Sequence, residues 1–478
     1  MKTDQSVYIQ QKAINPWLSL SVILLAPLIT VIDIFIVNIS TPAIKAYYQS
    51  SDAAVELVIA AYLVGYAVFL ITGSRAGDYY GRKRMFITGL VAFTLTSTIC
   101  GFAGSIEMLI TARFFQGVAA AFTVPQTVTL IQLNFQSSAD KDKAYGLYGI
   151  SLCIGATLGQ FLGGYFVSSH WIADSWRLIF LVNLPVGFIA VILAYFFVNE
   201  SVQNKSTRFD VPGIILLTLA LSSLIYPIIQ GAEKGWPAWT IVLLISSLLQ
   251  LILFVLYQHY LGKQQREPLL PLDLFRVRSF NIGIGSVIFF FSAHTAFIFV
   301  SAIYIQSGYH LPPLETGYYF MMLSFPFLLS SLWSIKTAAR YGIGLLQVGC
   351  ILMILSFIMQ LLLLHTPLLN HYALFACLIV YGLGSGIVMP SLLKVSLRDV
   401  PVDKAGAASG VYSTIQQFSS ALGVSIIGGI FLYLARHTGI FFTGYKVALY
   451  CMTGYLVIVM ILLNGLRKIT SVYTSPGK

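Results

Sequence analysis

Apolar residues run in long blocks along this chain, from Trp17 almost to its end, broken by short polar stretches. Inside the blocks they do not alternate with polar residues, as the strands of a membrane barrel would require. Each block is close to the roughly 20 residues that a helix needs to cross the hydrocarbon core of a bilayer. The pattern predicts 14 spans, at residues 17–39, 54–73, 85–104, 106–133, 144–168, 177–198, 211–230, 239–261, 281–305, 315–336, 343–365, 371–395, 405–434 and 443–467. The third and fourth are nearly fused.

An internal repeat runs through these spans. Gly117 and Pro125 in the fourth correspond to Gly382 and Pro390 in the twelfth, and Gly163, Gly164 and Phe166 in the fifth to Gly428, Gly429 and Phe431 in the thirteenth. All five pairs share an offset of 265 residues. The expected fold is an all-α integral membrane protein with 14 transmembrane helices, two pseudo-symmetric six-helix bundles and two inserted helices. The first bundle covers residues 1–200 and the second 276–478; residues 201–275 form a linker carrying the two additional helices. Repeats of this kind place a substrate site near the middle of the membrane, between halves that rock.

Composition agrees. Only 9% of the residues are charged and 57% are hydrophobic, with a mean hydropathy of +0.83, against about 25% charged in soluble domains. The net charge of +11 does not point to nucleic acid, because the basic residues form no single patch. They recur in short loops, as the positive-inside rule expects. If the N-terminus lies inside, Lys45, Arg177, Lys234, Arg436 and Lys446 fall in outer segments and Arg113 within a span; the other 22 of the 28 fall inside. Both termini are therefore expected in the cytoplasm, with the chain in a bacterial inner membrane. Residues 1–16 are polar, and no cleavable signal is expected. The five cysteines lie in apolar runs without metal-ligand spacing, and no Ser/His/Asp set or phosphate loop stands out. No enzymatic activity, cofactor or metal is expected.

Candidate chemistry concentrates in a few polar residues inside spans. Asp33, in the first span, is the clear acidic exception, about 9 Å below its outer end. Taking a carboxylate out of water disfavours its charged form, so Asp33 can gain and lose a proton as its exposure alternates. Arg113 in the fourth span lies at a similar depth, about 10 Å. Two opposite charges in one apolar layer sense each other, either as a proton-linked switch or as a static pair that fixes helix packing. Gly155, Gly159 and Gly163 line one face of the fifth span, so that another helix can approach closely. Gln160 among them, Gln116 beside Gly117, His294 in the ninth span, and Gln416 and Gln417 in the thirteenth either line a cavity or hold helices together. Between the second and third spans, Gly73, Gly77 and Gly81 permit a tight turn. Asp78 and Arg82 there are candidates for a gate latch, or for a solvated basic loop.

Taken together, these segments resemble the major facilitator superfamily, specifically its fourteen-helix drug:proton antiporter family. Gly73–Arg84 looks like the superfamily's loop between helices 2 and 3, with Arg75 in place of the usual leucine. Arg113, Gln116 and Gly117 look like the family's helix-4 motif, and Asp33, Asn38 and Pro42 like its helix-1 signature. Trp176–Pro185 is similar to the opening of its sixth helix, and Pro271–Phe275 to the segment before its ninth span. Gly406, Ser409, Gly410 and Gln417 fit its penultimate helix. The helix-5 motif carries Gly159-Gln160 where the family has Gly-Pro, and the second-half loop Lys336–Gly342 lacks an acidic residue.

The resemblance implies proton-coupled export of lipophilic or amphipathic small molecules by alternating access, with Arg113 in proton coupling and Asp33 in coupling or cation binding. The alternatives are a transporter of one endogenous metabolite, such as a siderophore or lipid-like compound, and a membrane receptor or scaffold without transport. The expected partners are a small-molecule substrate, protons and the lipid bilayer, with no nucleic acid. The chain is expected to act as a monomer, with periplasmic adaptor proteins left open.

Overall fold

The computed structural model describes residues 14–474 apart from 136, 170, 202–209, 265, 267, 365–369 and 402–404. The terminal residues 1–13 and 475–478, on which the expected orientation bears, lie outside the described residues. The chain forms α1 (Pro16–Tyr48), α2 (Asp52–Tyr80), α3 (Arg82–Gly101), α4 (Ile106–Asn134), α5 (Ser138–Ser168) and α6 (Ser175–Phe197). Next come α7 (Val211–Lys234), α8 (Ala238–Lys263), α9 (Arg278–Gly308) and α10 (Pro313–Tyr341). Then follow α11 (Ile343–Leu363), α12 (His371–Ser396), α13 (Ala408–Thr438) and α14 (Phe441–Thr474). Among the described residues, 13 helices are long and apolar enough to cross a membrane. The remaining long helix, α10, mixes Glu315, Pro326 and several serines among its apolar residues and is not one of the 13.

Local chemistry sets the helix ends. Ser51 and Ser105 cap α2 and α4 by accepting from Ala54 N and Met108 N, both at 3.2 Å. Asp210 and Asn370 cap α7 and α12, accepting at 2.9 and 3.1 Å. Each cap satisfies a backbone donor that the first helical turn leaves open. Pro125 and Pro390 sit inside α4 and α12, tolerated because neighbouring helices shield the freed carbonyls.

Backbone-to-backbone approach at glycines builds the interior. A Cβ added to Gly117 of α4 would stand 2.0 Å from the Tyr62 carbonyl oxygen of α2; one on Gly382 of α12 would stand 2.2 Å from that of Leu323 of α10. The glycine row of α5 meets α1 in the same way: Gly155, Gly159 and Gly163 face the carbonyls of Leu28, Ile32 and Ile36 at 3.0, 2.6 and 2.7 Å. Such contacts replace the hydrophobic drive that lipid does not supply. Helix α8 lies against α7 and turns Ile241, Val242, Ile245, Leu248, Leu249 and Ile252 outward, a face suited to acyl chains.

Three expectations need correction. Helix α1 runs on to Tyr48, so Asp33 lies about 15 residues, or ~22 Å, before its C-terminal end. The segment between the second and third spans is not an open loop: α2 continues to Tyr80 and α3 begins at Arg82. The turn is Gly81 alone, at φ +102°, where a side chain would be strained. Gly73 and Gly77 are helical and pack on Ala121 and Gln126 of α4. Finally, the sixth span is not one regular helix: a 3-10 turn at Ser175–Arg177 leads into short and long α-helical pieces.

Candidate functional site

Asp33 and Arg113 meet. Both are buried, at 0% and 1% exposure, and Arg113 Nη1 donates to Asp33 Oδ2 in a direct ion pair between α1 and α4. The other carboxylate oxygen accepts from Gln116 Nε2 at 2.8 Å and from Asn183 Nδ2 of α6 at 3.1 Å. Arg113 also donates to Gln116 Oε1 at 2.7 Å and from Nε to the Val58 carbonyl at 3.3 Å. Its guanidinium lies 4.3 Å over the Tyr62 ring and 5.7 Å from that of Phe180. Asn183 is held in turn by Ser97 Oγ at 3.0 Å, and Ser97 donates to the Phe180 carbonyl at 2.9 Å. Desolvating two charges is costly, and only near-complete hydrogen bonding offsets it; here every donor and acceptor comes from α1, α2, α3, α4 and α6.

The charge layer contains residues that were not singled out from the sequence. Asn183 lies inside the Trp176–Pro185 stretch, two residues before its proline; Ser97 and Tyr62 carry no local signal. A second buried acid was also missed. Asp33 is not the one deep carboxylate, because Glu56, one turn into α2, is 2% exposed. Its Oε1 lies 3.7 Å from where a Cβ of Gly428 would stand on α13. Glu56 lies near the N-terminal end of α2 and is covered by the packing of α13 against α2.

The turn between α2 and α3 forms a second cluster. Asp78 pairs with Arg82 across Gly81, and Arg82 Nη1 also donates to Gln126 Oε1 and the Ser74 carbonyl, both at 2.9 Å. Gln126 of α4 closes the ring onto the Gly73 carbonyl at 2.8 Å. The N-terminus of α3 is taken by Glu200, which accepts from Lys83 N and Arg84 N at 3.0 and 3.1 Å. Carboxylates favour that end of a helix.

Elsewhere the candidates separate. Gln160 does not join Asp33; its Oε1 accepts from Ser324 Oγ of α10 at 3.0 Å. His294 Nδ1 lies 3.0 Å from Tyr381 Oη of α12. Gln416 and Gln417 are half-buried on α13 and take no part in the charge layer. The side chains of Gly406, Lys336 and residues 338–341 lie outside the described residues. At the N-terminal end of α2, Asp52 pairs with Lys45 and, at 2.6 Å, with Arg436 of α13. Gln306 of α9 donates to the Ile39 carbonyl at 2.9 Å, and Leu314 N to Ser168 Oγ at 3.1 Å. Both α9 and α13 carry a π-helical turn, Tyr304–Gly308 and Val424–Gly428, where such turns interrupt the α ladder.

Comparison with known proteins follows this geometry. The family model described as Major Facilitator Superfamily matches residues 23–424. A protein named "Probable actinorhodin transporter" from Streptomyces coelicolor is 32% identical over 421 residues, covering 87% of this chain and 73% of that one. "Multidrug resistance protein Stp" from Mycobacterium tuberculosis is 31% identical over 405 residues, covering 84% and 73%. Among solved structures, the xylose transporter XylE from E. coli superimposes with a TM-score of 0.64 at 12% identity, covering 94% of this chain and 98% of that one. With the match spanning most of the helical core, the chain belongs to the Major Facilitator Superfamily, in its drug-efflux family.

Proposed function

We propose that this protein is a proton-coupled secondary transporter that exports lipophilic or amphipathic small molecules by alternating access. The observation that carries the reading is the Asp33–Arg113 pair, buried with three further polar partners, Gln116, Asn183 and the Val58 carbonyl. Ionisable groups in a membrane span are expensive and mark ion or proton pathways. The names of relatives, among them a multidrug resistance protein and a "Tetracenomycin C resistance and export protein", support export as the direction. Gln160 in place of proline does not weaken this, since it bridges to Ser324 on α10 rather than leaving α5 unsealed.

The same reading takes the chain as 14 transmembrane helices. Residues 1–200 form one six-helix bundle, 276–478 the other, and α7 and α8 in 201–275 the inserted pair. Matched glycine contacts support it: Gly117 on Tyr62 pairs with Gly382 on Leu323, and Gly159 on Ile32 with Gly423 on Ser292, the latter at an offset of 264 that becomes 265 across the π-helical turn Val424–Gly428. Both termini face the cytoplasm of a bacterial inner membrane, the protein works as a monomer without cofactor or metal, and the Asp78–Arg82 turn gates the inner side. Asp33 and Arg113 couple transport to protons.

The test is flux in proteoliposomes under an imposed pH gradient, comparing wild type with Asp33→Asn at matched protein content. Asn keeps the shape and removes the titration. Gradient-driven flux collapses in the variant while insertion and folding persist; undiminished flux would sink the proposal.

A further inference from the structure

His294, in the middle of α9, is buried but for 7% of its surface. Its ring lies within 7° of parallel to those of Phe290 and Tyr381, at centroid distances of 5.8 and 6.0 Å. Phe297 stacks on Tyr381 at 3.9 Å, and Phe357 lies 5.7 Å from it. Tyr381 is completely buried, and among the described residues its hydroxyl has one hydrogen-bond partner, His294 Nδ1 at 3.0 Å. A buried hydroxyl left without an acceptor costs about 1–3 kcal/mol. A neutral imidazole has one acceptor nitrogen. The Tyr381 proton is therefore assigned to the bond with Nδ1, which leaves the imidazole N–H on Nε2.

Nε2 has no hydrogen-bond partner among the described residues. It is also not sealed: His294 keeps 7% of its surface, whereas its neighbours Ala293, Ala296 and Phe297 keep none. The glycine register shows what this position corresponds to. Matching Gly117 on Tyr62 with Gly382 on Leu323 carries Gln116 onto Tyr381; matching Gly159 on Ile32 with Gly423 on Ser292, an offset of 264 ahead of the π-helical turn Val424–Gly428 and 265 beyond it, carries Asp33 onto Ala293, next to His294. Gln116 bonds Asp33 at 2.8 Å, and Tyr381 meets His294 at 3.0 Å. The first half thus holds a closed charge pair at this level, and the second a neutral donor with an open end.

We propose that His294 is a substrate-binding residue of the second half, presenting its Nε2–H to a hydrogen-bond acceptor, a carbonyl or phenolic oxygen, on an otherwise apolar molecule. This deepens the transport reading above and rests on it for the word substrate. The aromatic stack holds the ring plane, and the Tyr381 hydroxyl fixes which nitrogen carries the proton. Tyr381 is thus a positioning residue. Among the described residues no carboxylate takes part in this stack, and what it offers beyond its rings is the Nε2–H donor, which a neutral acceptor-bearing compound uses and a lipophilic cation without an acceptor does not.

The test is equilibrium binding to the full chain in nanodiscs, which needs no gradient and so is separate from failure of proton coupling. Two probes are used: Nile red, a neutral dye with a carbonyl acceptor, and tetraphenylphosphonium, a lipophilic cation without one. His294→Phe keeps the stack and removes the donor; it weakens Nile red about tenfold and leaves tetraphenylphosphonium at its wild-type affinity. His294→Gln restores part of the Nile red affinity, and Tyr381→Phe gives an intermediate loss because both tautomers become available. Thermal melting confirms that each variant is folded. Equal weakening of both probes, no weakening of Nile red in His294→Phe, or no saturable Nile red binding to the wild type overturns the assignment.

Discussion

Asn183 on α6 donates its side-chain amide to Asp33 on α1 at 3.1 Å, and the same nitrogen reaches Ser97 of α3 at 3.0 Å. One amide thus ties three helices to a carboxylate already paired with Arg113. Replacing it by Leu leaves the buried Asp33 short of a donor. The expected cost is about 1–3 kcal/mol. Melting of the purified protein in detergent should show Asn183→Leu several degrees below wild type; an unchanged melting temperature contradicts the network.

Close helix approach predicts a graded response to alanine. At Gly117 the new methyl would sit 2.0 Å from the Tyr62 carbonyl oxygen, so backbone must move; at Gly155 the nearest atom is 3.0 Å away. Gly117→Ala is expected to cost about 1–3 kcal/mol or more as overpacking, and Gly155→Ala clearly less. Size-exclusion profiles and melting of the two variants check the order, and equal behaviour would argue against the packing described.

The pair Asp52–Arg436 joins α2 to α13 at 2.6 Å. Its arginine is half exposed, so its contribution to folding is small, ~0.5–1 kcal/mol. On the proposed alternating-access reading it acts on the balance between closed and open outer faces. Arg436→Ala should raise the rate at which a membrane-impermeant maleimide labels a cysteine at Leu314 by about threefold, the population shift that such an energy allows. Unchanged labelling would mean that the pair does not hold the outer face.

What the sequence determined by itself is whatever depends on the solvent alone. The bilayer demands long apolar helices and inner positive charge, and both can be read from apolar runs and from the places of Lys and Arg. Burying a charge is costly enough that Asp33 and Arg113 stood out, and the glycine spacing of α5 announced a close helix contact. Tertiary structure decided which polar groups share a site. Side-chain partners such as Asn183, Ser97 and Tyr62 are ordinary residues in sequence and gain their role only because α2, α3 and α6 converge on α1. Burial of Glu56 arises from α13 lying against α2, and Gln160 was directed to Ser324 by the approach of α10. His294 and Tyr381, 87 positions apart, form one unit only through packing. Contacts between distant segments are set by the geometry of the whole bundle, which no local pattern encodes.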